Sequence, residues 1–243
     1  MNLVISQPRY LPALNYLQRL HSSDTFVILD SVQRQARGWE NRNKIILNGQ
    51  ERWLTIPITS STRARIDQTH ISGANWILEH TELISQAYSK APYFDRDIIE
   101  LYYCGVEPLL KNNDTDFSRI IIKLIYNCCK IFDFIPNIKI SSQLNELDSA
   151  IGAEKLLKIC NQLDAKTYIS GPNGRQYGIE KVFSKSRIKV KYHYFLHPIY
   201  KQINRNDFLP YMCFFDVLFT IGLKATKDLI SAPLILENYD RSL

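Results

Sequence analysis

No two cysteines in this 243-residue chain stand in a C-x-x-C spacing. The five present, Cys104, Cys128, Cys129, Cys160 and Cys213, are odd in number, and two are adjacent. Neither a secreted disulfide framework nor a zinc ribbon fits that pattern. Reduced, mostly buried thiols do fit, which predicts a cytoplasmic protein. No apolar stretch reaches 18 residues, so no transmembrane segment is expected. Tyr211 to Leu223 is apolar but short, and Asp216 interrupts it. Met1-Asn2 runs straight into Leu3-Val4-Ile5 with no basic segment and no long apolar one, which does not read as a signal peptide. No run of five basic residues occurs, which argues against a dedicated nucleic-acid patch and against DNA as a partner. The Walker, G-x-G-x-x-G, G-x-S-x-G, H-E-x-x-H, EF-hand and DNA-binding-helix signatures are missing too.

What is present suits a globular fold. Hydrophobic residues make up 45% and charged residues 22%, with 14 Tyr and 11 Phe. That length supports a core without disulfide or metal staples. The net charge of +6 permits an anionic partner such as a nucleotide-sugar, and a mildly basic solvated surface is the plainer reading.

Leu3-Val4-Ile5-Ser6 reads as a buried strand, ended by Gln7-Pro8. Leu11, Leu14, Leu17 and Leu20 have helical spacing, and Thr25 to Leu29 is a second strand. This is a βαβ unit, which favours parallel pairing. Lys44–Leu47 and Arg52–Ile56 around Asn48-Gly49 predict a hairpin. Ser60 to Ala64 reads as a polar loop and Ile66 to Ile71 as another short strand. Helices are expected at Trp76–Tyr88, from Pro92 to about Tyr103, at Glu107–Leu110 and at Phe117–Ile131, the last strongly amphipathic. Further on come a strand or loop at Ser141–Leu144, a helix at Ala150–Leu163 and a strand at Thr167–Ser170. A turn at Gly171-Pro172-Asn173-Gly174, a helix at Tyr177–Phe183, a strand at Ile188–Tyr194 and a helix at Phe214–Gly222 follow. The fold class is therefore α/β, with an N-terminal βαβ unit plus hairpin, a helical middle, and C-terminal strands returning to a mixed sheet. We expect one domain over 1–243, in which about 76–135 would form a helical sub-domain.

Four clusters could carry chemistry. Gln7-Pro8-Arg9-Tyr10 joins the first strand to the first helix, where α/β sheets collect ligands; a polar surface loop is the alternative. Asp30-Ser31-Val32-Gln33 follows the second strand, and Asp30 could equally cap a turn. Trp39 with Asn41, Arg42 and Asn43 offers a stacking face, amides for hydroxyls and a forked donor for phosphate. His197-Pro198-Ile199-Tyr200 could supply a general base, although a lone His is more often structural. His193 and His197 lie too far apart along a strand to chelate a metal, and no metal site is expected. Asp216, set among aromatics, needs a partner, and could orient His197. Cys213 could be a nucleophile but fits a small buried hydrophobe better. Ser170 and Tyr177 flank the Gly171–Gly174 turn at the edge of a site.

In these same places the chain resembles the WbqC-like family of bacterial proteins. The matching text is Gln7-Pro8 through Leu11-Pro12, Asp24–Val27 through Asp30–Gln33, Trp39 through Asn41-Arg42-Asn43, and Trp53–Pro57. It continues with Tyr88–Tyr93, Tyr168–Gly171, Tyr177, His197–Tyr200, and Asp216 through Leu218-Phe219 and Gly222. Asn15 stands where the family usually has Gly, and Cys213 where it often has Ser, which puts hydroxyl chemistry at that position in doubt. The resemblance implies a role in O-antigen or other surface-glycan biosynthesis. It points to a transferase moving an acyl or aminoacyl group onto a nucleotide-linked amino sugar. No cofactor is evident; coenzyme A, an acyl carrier protein or an aminoacyl-tRNA would serve as donor. A nucleotidylyltransferase-like enzyme and a non-catalytic nucleotide-sugar or glycan-binding subunit are the alternatives.

The expected site gathers His197, Asp216 and Asp30 as catalytic groups. Gln7, Tyr10, Gln33, Trp39, Asn41, Arg42, Asn43, Ser170, Tyr177 and Tyr200 would bind the ligand. In that arrangement His197 deprotonates the amine, Asp216 orients it, and Arg42 holds a phosphate.

Overall fold

The computed structural model describes residues 1–59, 61 and 63–238. Leu3, Val4 and Ile5 lie in strand β1 (Asn2–Ser6), which runs parallel to β2 (Thr25–Ile28), Leu3 opposite Thr25 and Ser6 opposite Ile28. Both strands are covered on both faces, which explains their unbroken apolar runs. Helix α1 (Leu14–Ser22) connects them. It starts later than the leucine spacing predicts. Leu11 precedes a proline, which disfavours helical backbone, and it adopts φ 46°.

The expected hairpin is present as β3 (Arg42–Leu47) and β4 (Gln50–Thr55), a separate two-stranded sheet. Its turn residues Asn48 and Gly49 both take positive φ, 52° and 75°, as the tight primed turn requires. Ile66–Gln68 is a 3-10 turn, not a strand. Thr69 Oγ1 donates back to the Arg65 carbonyl at 2.9 Å, a local bond that competes with ladder formation. The polar stretch 60–64 falls partly outside the described residues, since Ser60 and Thr62 are not among them.

The middle is helical, as expected: α2 (Asn75–Tyr88), α3 (Arg96–Tyr103), α4 (Glu107–Lys111) and α5 (Phe117–Ile131). Helix α3 begins beyond Pro92 because Asp95 caps it, accepting from the Asp97 N–H at 3.0 Å. Then come β5 (Ile138–Ile140), α6 (Gly152–Gln162), β6 (Thr167–Ser170), α7 (Ile179–Phe183) and β7 (Lys189–Tyr194). The chain closes with α8 (Phe214–Ile221), α9 (Leu223–Ser231) and β8 (Ile235–Asn238).

The main sheet has the order β5-β2-β1-β6-β7-β8. All its pairs are parallel except β7–β8, so the sheet is mixed. On one face Val4, Phe26, Ile28 and Ile169 pack with α1, α5 and α8 into the larger core. Leu3, Ile5, Val27 and Tyr168 pack with α6 and α7 on the other. The connection leaving β1 goes to β2 on one side, while β6 returns to its other side. The chain order thus reverses beside β1, and the loops at the carboxyl ends of β1 and β6 diverge there.

Candidate functional site

Two arginines reach this switch point, Arg9 from the β1–α1 connection and Arg19 from within α1. Arg9 sits half-buried on the loop after β1. Arg19 comes from α1 and is only 7% exposed. Its Nε donates to the Asn15 carbonyl at 3.4 Å, and its guanidinium lies 6.0 Å from the Tyr16 ring centre. A Cβ on Gly171, just past β6, would come within 2.9 Å of Arg19 Nη1, so glycine there leaves the guanidinium its place.

Among the described residues neither arginine forms an ion pair. Burial, and then the charge of Arg9, push the Arg19 guanidinium down to about 10. Burial also lowers Arg9, opposed by Tyr16 and Glu40. The Tyr16 hydroxyl, buried and acting electrostatically on both arginines, has no hydrogen-bond partner. A buried cation without a counter-charge costs several kcal/mol. Arg19 is such a cation, and together with the half-buried Arg9 and the Tyr16 phenol it forms a ready receptor for an oxyanion. At the end of β7, His193 closes the neighbourhood. Its Nε2 meets Gln18 Oε1 at 2.9 Å, and Gln18 Nε2 donates to the Leu229 carbonyl at 3.3 Å. That orientation makes His193 Nε2 the donor. Burial and the Arg19 charge push this imidazole down to about 4, so it is neutral at pH 7.

The sequence-derived residues fall into separate groups. Gln7 stands at the end of β1, half-buried, and Ser170 is buried at the end of β6, both at the switch point. Tyr10 points into the core, its hydroxyl bonded to His80 Nδ1 at 2.7 Å and to the Tyr103 hydroxyl. Asp30 is buried and accepts from Ser118 Oγ at 2.7 Å, Ser141 Oγ at 3.0 Å, and Ser142 N and Oγ at 2.9 and 2.8 Å. It thereby ties β2 to α5 and to the turn after β5. Gln33 is exposed and bridges to Arg65.

Asn41 and Asn43 are buried; Asn41 donates to the Ile56 carbonyl and closes the hairpin's open end, while Asn43 donates to the Leu11 carbonyl and fixes the hairpin to α1's entry loop. Arg42 donates to the carbonyls of Gly38 and Arg37 and lies 4.2 Å over the Trp53 ring. Trp39 packs 5.1 Å from Trp53. Tyr177 is exposed.

Tyr200 and Asp216 do meet. Tyr200 donates to Asp216 Oδ2 at 2.7 Å, and Gln202 Nε2 donates to the same oxygen at 2.8 Å. Burial raises the Asp216 carboxyl against the opposing effect of those donors. His197 is not bonded to Asp216. Its Nδ1 faces the Pro198 carbonyl at 2.9 Å, and its Nε2 accepts from the Tyr211 N–H at 3.0 Å. Cys213 is fully buried, and burial pushes its thiol up to about 12, away from nucleophilic use at neutral pH.

Sequence reasoning placed Arg9 in a candidate loop and the Gly171–Gly174 turn at a site edge, but passed over Arg19 and Tyr16. A signal existed. The positions three and four away from Arg19, Asn15, Tyr16, Ser22 and Ser23, hold no acid to pair with it. A hollow lined by Leu157, Cys160, Asp164, Lys185 and Arg187 lies at the opposite, amino end of β6 and β7. Ligands of parallel sheets collect at the carboxyl ends, which favours the arginine site. Among the described residues, no helix is long and apolar enough to cross a membrane.

Fold and site together define an α/β protein with a mostly parallel six-stranded sheet whose switch point presents unpaired cations. The chain belongs to the WbqC-like protein family, whose model matches residues 7–228. It is 29% identical over 226 residues to the uncharacterized protein Rv1507c of Mycobacterium tuberculosis, covering 92% of this chain and 95% of that one. No solved structure matches it.

Proposed function

We propose that this protein binds a phosphorylated small molecule of the nucleotide-sugar type at the β1–β6 switch point. On this reading it serves surface-glycan biosynthesis as a cytoplasmic transferase, moving an acyl or aminoacyl group onto an amino sugar. The observation that carries the binding half is the pair of arginines without ion pairs among the described residues, Arg9 and Arg19, the latter beside Gly171. The family resemblance supports the pathway half. Coenzyme A, the phosphopantetheine of an acyl carrier protein and a tRNA all bear phosphate, so the same cations suit the donor side as well.

One observation favours the non-catalytic reading, a nucleotide-sugar-binding subunit. Both His197 nitrogens are engaged within its own loop, and both Asp30 oxygens accept bonds. Base catalysis by His197 would require the loop to open.

Thermal melting with UDP-N-acetylglucosamine and with coenzyme A tests the binding half. A ligand at 100 times its Kd stabilises the folded state by about 2.7 kcal/mol. The expected result is a raised melting temperature with at least one of the two, lost in Arg19→Met. If the wild type and Arg19→Met melt alike with both, the arginine pair does not bind such ligands.

A further inference from the structure

Glu40 is 1% exposed, yet its carboxylate is only half satisfied. Oε1 accepts from the Gln35 N–H at 3.1 Å, whereas Oε2 has no partner. Its main-chain carbonyl accepts from the Tyr10 N–H at 3.2 Å, which fixes Glu40 beside the loop that carries Arg9. The Arg9 guanidinium feels its charge, although the two form no ion pair. Gly38 makes room for the acid: a Cβ there would come within 1.7 Å of Oε2. Arg34, in the same loop, likewise has a buried and unbonded Nε.

A buried carboxylate oxygen without a donor is held at a penalty unless something else supplies the donor. Arg9 thus interacts with one further cation, Arg19, and with one incompletely satisfied anion, Glu40. A complementary ligand is zwitterionic, with an oxyanion for the arginines and an ammonium for the carboxylate.

We propose that Glu40 receives the ammonium group of an amino-sugar phosphate whose phosphate lies on Arg9 and Arg19. Glu40 is then the specificity-determining residue of the site. The inference rests on the arginine-pair reading and adds to it the chemical class of the ligand's other end.

Calorimetric titration of glucosamine 1-phosphate, glucose 1-phosphate and pyrophosphate into the full chain tests it. The wild type should prefer the amino sugar by about tenfold, the advantage of a charge-assisted over a neutral hydrogen bond. Glu40→Gln should erase that preference and bind pyrophosphate more tightly, because a like charge has gone. Gly38→Ala, which evicts the carboxylate while keeping Glu40, should erase the preference too, and this guards against misfolding of the first variant. If the preference is absent from the wild type, or survives both substitutions, while Arg19→Met still weakens every ligand, the Glu40 assignment is wrong and the arginine site stands. If no ligand binds, or Arg19→Met changes nothing, both are wrong.

Discussion

Nη1 of Arg19 lies 2.9 Å from the point that a Cβ on Gly171 would occupy. The glycine's own backbone, φ −69° and ψ 165°, is open to any residue. What position 171 restricts is therefore space for the guanidinium, not chain conformation. Gly171→Ala should fold normally and displace Arg19. The expected outcome is a weakening of pyrophosphate binding by about tenfold, equivalent to roughly 1.4 kcal/mol, measured by calorimetry with circular dichroism confirming the fold.

Arg19 should also be a liability to the empty protein. It is buried beside a second cation, and its one side-chain hydrogen bond is long. Arg19→Met keeps an extended side chain and removes the charge. In low-salt buffer without phosphate or sulfate, the variant should be as stable as the wild type or more so, by up to about 1–4 kcal/mol in a urea titration. A large loss of stability would mean that the guanidinium has a structural partner.

Acid should destabilise the protein through two buried imidazoles. Burial pushes both His80 and His193 down to about 4 from 6.5. The unfolded chain then takes up protons more readily than the folded one. Stability is full above pH 6.5 and falls as the pH drops from 6.5 towards 4, by roughly 2 kcal/mol for each imidazole at pH 5. Urea midpoints at pH 7.5 and 5 check this, and His193→Gln should show the smaller drop. An anion on Arg19 removes one of the two causes of the His193 shift. Saturating pyrophosphate should therefore raise the His193 pKa, read from its ring nitrogens by NMR.

His197 clamps a loop. It joins the Pro198 carbonyl to the Tyr211 N–H and packs edge-on against Phe195, Phe208 and Tyr211. His197→Ala should cost about 0.5–1.5 kcal/mol in stability, the net worth of a typical hydrogen bond, since the Tyr211 N–H it frees is exposed to water. Pyrophosphate affinity should stay within twofold or so of wild type. A loss of affinity without a loss of stability would return His197 to the site.

Much of the fold was legible because local chemistry and tertiary demand agreed. The βαβ opening, the Asn48-Gly49 hairpin and the amphipathic Phe117–Ile131 helix each combine a clear period with a clear terminator. Boundaries moved where one side chain overrode the pattern, as Asp95 did at the start of α3. The edge strand β8 went unread: four residues after a helix carry too little period to stand out, and its pairing with β7 is made over a long sequence separation. The site was harder. Asp30, Asn41 and Asn43 are polar residues in loops, which looks functional, yet each is consumed by backbone or serine partners that only the folded chain brings near. Arg19 is the converse. It sits in a regular helix and looks like an ordinary surface residue until its burial and lack of a counter-charge are known.

The most direct measurement is a crystal structure of the protein grown with pyrophosphate. The account predicts density for the anion at the carboxyl edge of β1 and β6, in contact with the guanidinium groups of Arg9 and Arg19 beside Gly171. An empty edge, with either arginine instead paired to Glu40 or another acid of the chain, would contradict it.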